Sequence, residues 1–74
     1  MSRKEKRELK IRDNLKNVSL EDFEWLVNRY GYIKPGGSHS LAVTGDRMYP
    51  YPRTNPVNQN YVKGNLEIID SEVE

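Results

Sequence analysis

Apolar residues recur at helical spacing between Ser19 and Gly31, with Leu20, Phe23, Leu26, Val27 and Tyr30 on one stripe. Ser19 and Asp22 approximate a capping box, Glu21 and Asp22 suit the positive end of the helix dipole, and Gly31 stops the run. Trp25 lies off the stripe, so it either widens the core face or offers a contact surface. The period then shortens. Tyr32-Ile33-Lys34 reads as a short strand ended by Pro35-Gly36-Gly37. Ser38 to Thr44 alternates, with His39, Leu41 and Val43 on one face and Ser38, Ser40 and Ala42 on the other. Gly45-Asp46 suits a two-residue hairpin turn with glycine in its first central position. Arg47 to Tyr51 is the return strand, and Pro50 and Pro52 confine it to an edge or end it early, because proline cannot donate to a ladder.

Arg53-Thr54-Asn55-Pro56 reads as a loop, and a last helix follows with Asn58 as its cap and Val62, Leu66, Ile69 and Val73 as its buried stripe. Gly64 weakens that helix by ~1 kcal/mol relative to alanine and leaves room for another backbone to approach. Residues 2–16 are rich in helix formers, with Glu8 and Arg12 one turn apart. Their apolar content is limited to Leu9, Ile11 and Leu15, which fits either a weakly packed helix or a basic arm that orders on a partner. The order is helix, helix, three short strands, helix. It predicts an α+β two-layer sandwich, a three-stranded antiparallel sheet with helices on one face, plus an N-terminal helical extension.

Seventy-four residues make one small domain, which buries only ~60% of the surface its unfolded chain exposes. With no cysteine there is neither a disulfide framework nor a thiolate metal site, and a single histidine cannot assemble a zinc site. No apolar run resembles a signal peptide or a bilayer span, so a soluble cytoplasmic protein without membrane contact is expected. The net charge of +1 conceals an asymmetry: +4 over residues 1–16, −2 over 17–30, +3 over 31–64 and −4 over the last ten. A basic, strand-rich middle suits a polyanion, although lysines and arginines also simply solvate a surface.

That middle holds the only histidine, His39, within Gly36-Gly37-Ser38-His39-Ser40. Imidazole both takes and gives protons near neutral pH, and two preceding glycines keep the backbone open to a bulky charged ligand. Tyr49 and Tyr51, two apart on one strand face, either stack on bases or bury against a helix.

Several of these pieces in order resemble the HicA toxins: the capped helix ending in Tyr30-Gly31-Tyr32, then Gly37-Ser38-His39, the hairpin, Pro52-Arg53-Thr54-Asn55-Pro56-Val57, and Tyr61-Val62-Lys63 in the last helix. The likeness runs from about Asn17 to Ile69. It divides the chain into a basic N-terminal extension (1–16), a toxin-like domain (17–70) and an acidic tail (71–74). It implies a double-stranded-RNA-binding-domain-like fold, cleavage of mRNA, silencing by a HicB-like antitoxin protein, and His39 as the catalytic residue. Where family members often carry a second histidine or an aromatic, this chain has Ser40-Leu41-Ala42.

The chemistry follows from RNA itself. A base that deprotonates the 2′-hydroxyl lets it attack the adjacent phosphate, and proton transfer of this kind contributes typically ~10²–10⁴-fold. Lys34, Arg47 and Arg53 are candidates to stabilise the developing charge, and the Gly36 and Gly37 amides would add neutral donors. Ser38 would orient the imidazole or contact phosphate. No cofactor and no metal is expected, because the strand region carries a single carboxylate, Asp46, in a turn. Two further readings remain open: a non-catalytic RNA-binding module using Lys34, Arg47, Arg53 and Lys63, and a protein-interaction domain using Trp25 and the tyrosines.

Overall fold

The computed structural model describes residues 2–73, so Met1 and the last residue of the acidic tail, Glu74, lie outside the described residues, as does the expected burial of the Val73 side chain. The elements run α1 (Arg3–Asp13), a short 3-10 turn (Leu15–Asn17), α2 (Leu20–Tyr30), β1 (Tyr32–Lys34), β2 (His39–Thr44), β3 (Arg47–Pro52) and α3 (Gln59–Val73). The strands form one antiparallel sheet in the order β1-β2-β3, with the helices packed on one face. This is the α+β arrangement the alternating pattern implies.

Local chemistry accounts for the element ends. Ser19 Oγ accepts the Asp22 N–H at 3.0 Å, and Asn58 Oδ1 accepts the Asn60 N–H at 2.9 Å, so both helix starts are capped by their own side chains. Gly45 sits at φ 59° between the paired residues Thr44 and Arg47, the left-handed conformation that the first position of a tight hairpin turn demands. β3 is indeed an edge strand and keeps both its prolines.

Between the layers, Phe23, Leu26 and Val27 of α2 meet Val62, Leu66 and Ile69 of α3 together with Ala42 and Tyr51 of the sheet. The Tyr51 ring is fully buried and meets Phe23 edge-on at 4.7 Å, a geometry worth ~0.5–1.5 kcal/mol beyond its burial. Tyr49 leans on α3 as well, and its ring occupies the space above Gly64. The glycine therefore admits a tyrosine side chain rather than another backbone. Both tyrosines face the helices, which leaves neither available to stack on bases.

α1 is a docked helix, not a free arm. Ile11 enters the core, Arg7 reaches Asp22 of α2 at 2.8 Å, and Arg12 joins Glu8 at 3.1 Å and Asp70 of α3 at 2.9 Å. Glu8 also accepts from Arg29 and from the Tyr30 hydroxyl, 3.2 and 2.6 Å away. Trp25 is half-buried beneath the Arg7 guanidinium, 4.6 Å above its ring, with Arg29 at 5.7 Å. It sits at the margin of the core and is covered in part by charge.

Candidate nucleic-acid interface

Strand parity decides which side chains share a surface. Ser40, Ala42 and Thr44 are buried toward the helices, so His39, Leu41 and Val43 must point the other way. Their cross-strand partners are Tyr32 and Lys34 on β1 and Met48, Pro50 and Pro52 on β3. These eight residues form the face of the sheet that no helix covers among the described residues. It is an apolar floor carrying one lysine, one histidine and no carboxylate.

His39 opens β2 at one end of this face and is exposed. Its ladder partner is Pro52, which has no N–H to offer. Ser38 Oγ lies 3.2 Å from His39 Nδ1. A hydroxyl is both donor and acceptor. When Ser38 accepts from Nδ1–H, Nε2 presents a free lone pair; when Ser38 donates to Nδ1, Nε2 carries the proton. One neighbour thus suits either tautomer of the neutral ring, and it is the first that presents Nε2 as a base. Gly36 fixes the approach of the preceding loop, for a Cβ there would overlap the His39 carbonyl oxygen.

Lys34 pairs with Leu41, one step along the same face from His39, so the two Cα atoms are diagonal neighbours ~7–8 Å apart. Lys34 is exposed and makes no ion pair among the described residues. Gly37 and Ser38 lie in the exposed loop beside it. Lys34, Gly37, Ser38 and His39 therefore come together.

Arg53 follows Pro52 at the same end of the sheet, but its guanidinium turns to Glu24 of α2 at 3.2 Å, partly neutralising it. Arg47 and Lys63 lie elsewhere. Arg47 pairs with Thr44, five residues along β2 from His39, about 17 Å at strand rise. It faces the helix side, lining a groove with Tyr49, Gly64 and Glu67. Lys63 is exposed on α3, in the other layer.

The Pro52–Val57 segment does structural work that its sequence did not advertise. Asn55 Oδ1 accepts the Leu20 N–H at 3.2 Å, adding a cap to α2 from 35 residues away, and Val57 is buried with its N–H on the Val18 carbonyl. Nothing in the local sequence pattern marks Glu24 either. It accepts from the buried Tyr51 hydroxyl at 2.6 Å, and burial together with this carboxylate pushes the Tyr51 pKa far up. Tyr32, 57% exposed, is the largest aromatic surface on the open face. Its shared parity with Lys34 was the signal that could have found it.

Among the described residues no group of three or more histidine, cysteine or acidic side chains is placed to hold a metal ion, and no helix is long and apolar enough to cross a membrane. Comparison of the chain with protein-family models, with curated proteins and with solved structures gives no match.

Proposed function

We propose that this chain is a metal-independent endoribonuclease acting on mRNA, the toxin half of a toxin–antitoxin pair of the HicA kind. The observation that carries the reading is the placement of His39: exposed, bonded to a hydroxyl that serves either tautomer, and, among the described residues, beside an unpaired lysine on a face without carboxylates. In the proposed reaction Nε2 takes the proton of a ribose 2′-hydroxyl. The 2′-oxygen attacks the adjacent phosphorus, and the bond to the 5′-oxygen of the next nucleotide breaks. That oxygen leaves with a proton from water or from the ring in its protonated state. The products are a 2′,3′-cyclic phosphate and a 5′-hydroxyl end. Lys34 offsets the charge that gathers on the non-bridging oxygens.

The resemblance to HicA toxins extends the proposal to a double-stranded-RNA-binding-domain-like fold, a cytoplasmic location and a HicB-like antitoxin that covers the His39 face, masking charge and imidazole together. The test is His39→Ala. It is expected to retain the wild-type circular dichroism spectrum and to lose RNA cleavage by ~10²–10⁴-fold, while the wild type keeps cutting in the presence of a chelator. Undiminished cleavage by the variant, or strict dependence on magnesium, overturns the mechanism. A non-catalytic RNA-binding module is the second reading, favoured by Ser38 being the one side chain bonded to the imidazole among the described residues. It predicts RNA that is bound, salt-sensitively, and recovered intact.

A further inference from the structure

From the geometry of the open sheet face we infer a base-stacking subsite at Tyr32 that selects unpaired RNA. It rests on the reading of the His39 face as an RNA-binding surface and names what that surface accepts. On β1 and β2 the rows run Tyr32–Val43, then Lys34–Leu41, then the row of His39, so Lys34 lies between the tyrosine and the histidine. Tyr32 and His39 are four residue rises apart, ~13 Å along the sheet, within reach of a short stretch of extended single strand.

Each row offers a different kind of contact. Tyr32 and Met48 are 57% and 55% exposed and flank Val43, which is only 3% exposed. That end is a shallow apolar shelf with an aromatic ring on it. The middle row supplies one cation, and the far row the imidazole and the Ser38 hydroxyl. A nucleobase on the Tyr32 ring and a phosphate shared by Lys34 and His39 use the ring, the cation and the imidazole of the strip.

A duplex fits this surface poorly. Its stacked bases are unavailable to an exposed ring, and it presents dense phosphate to a face that carries a single lysine among the described residues. The chemistry points the same way, since attack by the 2′-oxygen needs it in line with the departing 5′-oxygen. An A-form helix holds these atoms out of line, and an unpaired strand reaches the alignment freely.

The experiment separates this subsite from catalysis by using RNA that cannot be cut. A short fluorescent oligoribonucleotide, 2′-O-methylated throughout, is titrated with wild type, Tyr32→Ala and Tyr32→Phe, and the anisotropy read. The same titration is run with a perfectly paired duplex of equal length. Base stacking on an aromatic corresponds to ~5–150-fold in affinity. Tyr32→Ala is expected to weaken single-strand binding about tenfold or more, Tyr32→Phe to bind as wild type, and the duplex to bind more weakly than the single strand. Equal affinity of Tyr32→Ala and wild type, or a preference for the duplex, overturns the inference. So does a Tyr32→Ala variant that loses self-association but keeps its RNA affinity, since a second copy then occupies the face. Absence of cleavage by the wild type, with the Tyr32 effect on binding retained, defeats the nuclease reading and supports the subsite.

Discussion

The loop that delivers His39 gives a sharp contrast between two adjacent glycines. A Cβ on Gly36 would overlap the His39 carbonyl oxygen and stand 3.4 Å from its carbon, whereas one on Gly37 meets nothing within 4 Å. Neither glycine lies in the left-handed region, where only Gly45 is found among the described residues, so sterics alone separates them. The obstacle at Gly36 is backbone, and no rotamer change relieves it. Gly36→Ala must therefore push the loop off β2, at the ~1–3 kcal/mol typical of an overpacked site. For a domain of this size each kcal/mol shifts Tm by roughly 4–8 °C, so a fall of about 4–24 °C is expected by circular dichroism. A displacement of His39 near 1 Å would also cost about 10²-fold in cleavage rate. Gly37→Ala restricts only the unfolded chain and should raise stability by ~0.4–1 kcal/mol. Matched thermal melts and RNA-cleavage rates on the two variants decide the matter. A Gly36→Ala protein as stable and active as wild type, or a Gly37→Ala protein that is the damaged one, refutes the reasoning.

Two further predictions concern ionisable groups. Tyr51→Phe removes the hydroxyl that donates to Glu24 and should cost about 1.5 kcal/mol at neutral pH by urea denaturation. Because burial and Glu24 raise the Tyr51 pKa above its ordinary value of 10.0, that stabilisation is complete below pH 10 and fades as pH climbs beyond it. The gap between variant and wild type should close in alkali, and a gap that widens contradicts the assignment. Asp70 is held below the usual carboxylate range by hydrogen bonds from Arg12, so its contribution is present above about pH 4 and lost as pH falls further. The pair is partly exposed, and Asp70→Asn should cost no more than ~1 kcal/mol. Faster amide exchange across residues 3–13 is the expected signature, and unchanged protection there would mean that Arg12 does not hold α1 in place.

What could be read directly from the chain was whatever neighbouring residues decide among themselves. The Leu20-to-Tyr30 stripe, the Ser19 and Asn58 caps, the Gly45 turn and the edge position of a strand with two prolines each depend on contacts within a few residues, and each is present. The grouping of His39 with Leu41 and Val43 followed from strand parity alone. Which of the two sheet faces the helices would cover did not, because both alternating sets contain apolar residues. Burial of Ala42 and Tyr51 against Phe23 made that choice, and with it left Tyr32, Lys34 and His39 on the open side.

The rest is long-range. Arg12 finds Asp70 58 residues away, Asn55 caps a helix 35 residues earlier, and Glu24 collects both Tyr51 and Arg53. Formal charge made Arg47, Arg53 and Lys63 equivalent to Lys34, yet among the described residues only Lys34 stands unpaired beside the imidazole, since strand register and helix packing carry the others to another edge, another partner or another layer. Local order along a chain is set by torsional preference and short-range hydrogen bonds; proximity between distant cations, carboxylates and rings exists only after the layers close over a common core.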